Sequence, residues 1–142
     1  MNKLEELEQV IDDNDIDLIE FNKMNEKSMI IKDFENEYVT IVVNKIKIAN
    51  ERELLVLMSH KLGHYNTSGY YCAYMLKSNK CKMEYNANVD SVKRLVPIKK
   101  LKSLLIDSWG YSRNELAEEF GVTENFIDEA VHIYKRKGLL PQ

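Results

Sequence analysis

His60-Lys61-Leu62-Gly63-His64 is the stretch on which the reading of this chain turns. Two histidines four residues apart on a helix share one face, with Cβ atoms roughly 6 Å apart, so both imidazoles can reach one metal ion. In the H-E-x-x-H pattern the residue after the first histidine is a glutamate, which takes a proton from metal-bound water. Here that position holds Lys61. A lysine of ordinary pKa, about 10.4, is protonated at neutral pH and cannot accept that proton. It also sets a positive charge beside a divalent cation, which weakens metal affinity.

The residues around the pair predict a buried helix. Asn50-Glu51-Arg52-Glu53 has the spacing of a capping box and marks its start. Leu54, Leu55, Leu57, Met58 and Leu62 make it mostly apolar. Histidines within such a helix need partners for their ring nitrogens, and a metal is one. A helical pair needs a third protein ligand to hold zinc, and Glu84 is the candidate. It falls near the start of a helix predicted over 82–95, which ends before Pro97. The small Ala87, one turn on, lets that helix approach the histidines closely, and Asn88 shares the face of Glu84 and can hydrogen-bond a ligand. Plainer alternatives stand beside these: two satisfied core histidines, and a glutamate favoured by a helix N-terminal dipole.

Further out, Leu4, Leu7, Val10 and Ile11 predict a short amphipathic helix, broken by Asp12-Asp13-Asn14-Asp15. Ile16, Leu18 and Ile19 suggest a strand. Met29-Ile30-Ile31 and Tyr38-Val39-Thr40-Ile41-Val42-Val43 flank the polar Glu35-Asn36-Glu37 and read as a hairpin. Residues 46–49 either extend the sheet or lead out of it, and 66–79 reads as a loop. Tyr65 and Tyr85, with Tyr70, Tyr71 and Tyr74, are candidates to line a substrate cleft. An amphipathic helix is predicted over 98–107. A second capping box, Ser112-Arg113-Asn114-Glu115, opens a short helix, and Thr123 caps a last one running to Lys135-Arg136-Lys137-Gly138. The expectation is one α+β domain over 1–142. In it a small mixed sheet packs on the histidine helix, and 98–142 forms a helical C-terminal subdomain.

Composition narrows the function classes. A chain with 44% hydrophobic and 30% charged residues is globular in type, and its net charge of −3 gives no reason to expect nucleic acid or an anionic membrane as partner. No apolar run nears the roughly 20 residues of a membrane span, and Met1-Asn2-Lys3-Leu4 opens no secretory signal. Cys72 and Cys81 are too few for a disulfide framework, so a cytoplasmic home is expected.

His60-x-x-Gly63-His64-Tyr65, then Glu84-Tyr85-x-Ala87-Asn88, then Leu95-Val96-Pro97 resemble the ImmA/IrrE family of zinc metallopeptidases. Glu115-Leu116-Ala117-Glu118-Glu119-Phe120-Gly121-Val122-Thr123 is similar to that family's C-terminal helical tail. The resemblance spans 38–134. It implies a zincin-like fold of bacterial, phage or mobile-element type, with Zn2+ held by His60, His64 and Glu84. It further implies action on a cytosolic repressor-type regulator. Two departures stand out. Lys61 occupies the place of the catalytic glutamate, so a peptidase of this kind is expected to be inactive or strongly impaired. Asp90 and Ser91 stand where family sequences place an aromatic or apolar residue and an alanine.

Two other readings remain open: a non-catalytic pseudopeptidase that binds a regulator or partner protein, and a helix-turn-helix DNA-binding protein built on 116–131. The second would present Glu124, Asp128 and Glu129 at the start of its recognition helix, where phosphates repel them.

Overall fold

The hydrophobic alternation across 28–43 folds as a hairpin in the computed structural model, which describes residues 1–70, 75–106 and 110–141. Strand β2 (Ser28–Asp33) pairs antiparallel with β3 (Tyr38–Val43), setting Ile30 opposite Ile41 and Met29 opposite Val42. β1 (Asp17–Glu20) lies parallel to β3 on its other side, so the mixed sheet runs β1-β3-β2 and β2 is an edge. The central strand buries Val39, Ile41, Val42 and Val43, which is why its sequence reads as a nearly continuous apolar run. Residues 46–49 do not extend the sheet; Lys45–Lys47 make a short 3-10 turn leading out of it.

Helix α1 (Lys3–Asp13) precedes the sheet and buries Leu7 and Ile11. α2 (Glu51–Asn66) follows it and carries the histidines. Asn50 caps α2 as its sequence predicts, its side chain accepting from the Glu53 amide at 3.0 Å. Glu53 reaches back one residue further than a capping box requires, accepting from the Ala49 amide at 3.2 Å and pairing with Lys27. α2 packs on both β2 and β3, and its contact with α3 (Lys77–Leu95) is the most extensive between helices.

α3 begins at Lys77, not at 82. The Leu76 carbonyl accepts from the amides of Asn79 and Lys80, and the straight-chain lysines of this polar stretch are good helix formers that stay in water. Glu84 therefore lies about two turns into α3, beyond the reach of an N-terminal dipole that fades within the first turn. The helix ends at Leu95 before Pro97, and α4 (Ile98–Ile106) starts just beyond; its predicted end at Asp107 lies outside the described residues.

α5 (Arg113–Phe120) opens with both halves of the Ser112–Glu115 capping box formed. It stops at Gly121, whose φ of 69° is a left-handed conformation that favours glycine. Thr123 caps α6 (Glu124–Arg136). Tyr134, buried on α6, donates its hydroxyl to the Val96 carbonyl at 2.7 Å and so ties the last helix to the α3–α4 corner. One apolar core runs from Ile41 through Met58, Leu62 and Val92 to Leu101 and Phe120. Among the described residues no helix is long and apolar enough to cross a membrane.

Helices α2 and α3 come into backbone contact at Gly63. A Cβ built there would meet the Ala87 carbonyl oxygen at 2.4 Å and the Ala87 Cα at 3.1 Å, so α2 and α3 run backbone to backbone at this point. Gly63→Ala is accordingly expected to cost about 1–3 kcal/mol of stability, the range for overpacking a close-packed interior. Urea denaturation measures it, and an unchanged midpoint would mean the helices part without cost.

Candidate metal centre

The contact at Gly63 and Ala87 sets Glu84 of α3 against the turn of α2 that carries His60 and His64. The two rings meet edge to face, with centroids 4.7 Å apart. Glu84 straddles them: Oε2 lies 2.8 Å from His60 Nε2, and Oε1 lies 3.0 Å from His64 Nε2. The two Nε2 atoms are 3.1 Å apart. His64 is buried, His60 half-buried, and Glu84 opens on its outer side to solvent. The structure thus gathers His60, His64 and Glu84 into one group able to hold a metal ion.

Hydrogen bonding fixes the electronic state of His64. Its Nδ1 lies 2.6 Å from the Gly69 carbonyl oxygen, which can only accept, so Nδ1 carries the proton and donates it. The Gly69 amide returns a bond to the His64 carbonyl at 2.9 Å. A neutral His64 then points an Nε2 lone pair straight at a Glu84 oxygen, acceptor against acceptor. A second proton on the ring, a proton donated by His60 Nε2, or a bound metal ion would each turn this contact into an attractive one. Two imidazoles, one oriented from behind by a backbone carbonyl, plus one carboxylate match the donor set of a zinc site with an open position. Zinc bonds of about 2.0–2.1 Å in a tetrahedron separate ligand atoms by roughly 3.3 Å, so these three need spread only by tenths of an ångström. The residues fit the ion.

Burial pushes His60 below its ordinary value; the Glu84 carboxylate opposes this, while His64 and Lys61 reinforce it. Lys61 is also lowered by burial, with Glu84 again opposing. Its side chain does not enter the core. It lines a cleft of about 410 Å³ between α2 and the edge strand β2, together with His64, Gly69 and Tyr70.

Asp90 and Ser91, the departures beyond Glu84, clasp α3 to α2. Ser91 donates to Ser59 Oγ at 2.8 Å, and Arg94 donates to the Ser59 carbonyl at 2.9 Å and to Asp90 at 2.7 Å. Asn66 completes the clasp by donating to Asp90 at 3.1 Å. Hydrogen bonds replace the apolar packing that an alanine would give here.

Other sequence candidates fall less centrally. Asn88 is half-buried and, among the described residues, makes no hydrogen bond to the three ligands. Tyr65 and Tyr85 are half-buried against the core, and the Arg136 guanidinium lies 4.8 Å over the Tyr85 ring. The described lining of the cleft includes Tyr70 but neither of these; Tyr71, Tyr74 and Cys72 lie outside the described residues. Cys81 is exposed on α3. Gly69, the acceptor that orients His64, carries no mark in the sequence. Glu129 of α6 is equally unmarked there; burial raises its carboxyl, the Glu84 charge raises it further, and His132 opposes.

Zinc titration is expected to saturate near one ion per chain, and replacing a direct ligand, as in Glu84→Gln or His64→Ala, to weaken binding by more than about 100-fold. In metal-free protein, the unfolded chain takes up a proton on His60 as pH falls below 6.5, while the folded chain resists it. Stability should therefore decline below that pH, and His60→Asn should remove that part of the decline in denaturation curves. Comparison with protein-family models, with curated proteins and with solved structures found no match, so the chemistry of this centre rests on its own geometry.

Proposed function

We propose that this chain is a zincin-like metallopeptidase fold of the ImmA/IrrE type that binds zinc through His60, His64 and Glu84. In this reading it grips a cytoplasmic repressor-type regulator, with hydrolysis abolished or strongly impaired by Lys61. The observation that carries the proposal is the convergence of His60 Nε2, His64 Nε2 and the two Glu84 oxygens, 2.8 to 3.1 Å apart, into a donor set able to hold a metal ion.

Bound zinc would supply Lewis acidity toward a peptide carbonyl. The remaining parts belong to the chain itself. The Gly69 carbonyl holds the His64 ring in its ligating tautomer. The Ser59–Asp90–Ser91–Arg94 clasp holds the two ligand-bearing helices in register. β2 is an edge strand that lines the cleft, so an extended peptide can add to the sheet by backbone pairing beside the metal ligands. What fails is the proton transfer. The ammonium of Lys61 has no lone pair to offer, and both oxygens of Glu84 face the imidazoles. The arrangement favours holding a peptide over cutting it.

DNA binding draws no comparable support. At the start of α6, Glu124, Asn125 and Asp128 all take hydrogen bonds from Arg113 of α5, so the basic residue nearest the recognition position is turned onto its own acidic neighbours.

The test restores the base. Zinc-loaded Lys61→Glu is expected to cleave a co-encoded repressor at least roughly 100-fold faster than the parent chain, the scale of one general base. Failure of zinc-loaded Lys61→Glu to cleave would remove the peptidase reading for that substrate, and equal cleavage by the parent would remove the role given to Lys61.

A further inference from the structure

Lys61 lines the cleft half-buried, and among the described residues its ammonium makes no hydrogen bond and no ion pair. The acid that acts on it, Glu84, is engaged by both histidine rings. A cation half withdrawn from water without a counter-ion carries a desolvation cost that an entering anion relieves. Across the cleft, Lys32 of β2 is a second cation, ion-paired with Glu37. Its Nζ is held 5.0 Å from the Phe34 ring centre and 5.2 Å from that of Tyr70, with Glu37 at 3.3 Å. Glu26, exposed at the rim, is the one carboxylate among the described lining residues. Met29, Ile30, Ile31 and Phe34 supply an apolar wall. A divalent ion at the neighbouring centre deepens the bias, because a single carboxylate ligand does not neutralise it.

We propose that the cleft receives a carboxylate-bearing peptide segment, with Lys61 as its ion-pair anchor and the β2 edge as its backbone track. This names a ligand class for the regulator-binding reading above and rests on its view of the cleft as a peptide site. The substitution that removes the base thus also reverses the charge the cleft shows its ligand. A glutamate at this position would repel the acidic residue that Lys61 draws in. The cleft volume of about 410 Å³ holds one or two side chains of such a segment, while the chain continues along the strand edge. The carboxylate comes either from an Asp or Glu side chain or from a chain terminus.

Fluorescence anisotropy with two matched pairs of labelled, otherwise apolar pentapeptides tests this. One pair has blocked ends and an internal Glu or Gln; the other ends in a free carboxylate or an amide. Binding is measured on zinc-loaded and chelated protein, with metal content assayed in parallel. An acidic peptide should bind about tenfold or more tightly than its neutral twin. The preference should vanish in Lys61→Gln and reverse in Lys61→Glu. Should Lys61→Glu fail to fold, Lys61→Gln and Lys61→Met carry the comparison. Preference confined to the internal pair assigns the carboxylate to a side chain, and preference confined to the other assigns it to a terminus. Equal binding within both pairs, no binding by any of the four, or a preference that survives Lys61→Gln overturns the inference whatever the zinc content. A Lys61-dependent preference in protein that takes up no zinc keeps the anion site and removes the metallopeptidase reading instead.

Discussion

The near-contact of α2 and α3 at Gly63 and Ala87 is the constraint from which the rest of the centre follows. Only a residue without a Cβ lets the Ala87 carbonyl come so close, and that closeness lets Glu84 span rings on two successive turns of the facing helix. The hydrogen-bonded clasp of Ser59, Ser91, Asp90 and Arg94 then fixes the helices along their length. Packing, polar satisfaction and ligand geometry here are one requirement, met by small residues at the crossing and polar ones beside it.

Local features of this architecture were legible in the sequence; those set by tertiary contacts were not. Asn50, Ser112 and Thr123 announce their helices because a cap bonds to amides two or three residues away. The hairpin shows in the alternation of 28–43, and the histidine pair in its spacing. The early start of α3 was hidden because Lys77, Lys80 and their neighbours carry no apolar periodicity, and that hydrophobic signal is what marks a helix. Asp90 and Ser91 are accounted for by Ser59 on the facing helix and by Arg94 one turn further along their own, contacts that residue spacing alone does not announce. Gly69 had no signal at all, since its role is played by a backbone carbonyl that every residue possesses.

The two sides of the histidine turn have different jobs. One side, with Gly63 and Leu62, is locked into the core and tolerates little change. The other opens to the cleft, where Lys61 meets an apolar wall and a second lysine instead of a packed interior. Position 61 therefore faces the cleft and not the packed core, its side chain lying along the apolar wall half withdrawn from water.

That placement has a genetic consequence. The lysine codons differ from those of glutamate only at the first base, so an ammonium and a carboxylate at position 61 lie one transition apart. The change touches neither the Gly63–Ala87 contact nor the Ser59–Arg94 clasp. The cleft's preference for charge would be inverted at the same step. On the function proposed above, gain of the reaction would come with a change in the charge of the peptide that the cleft receives.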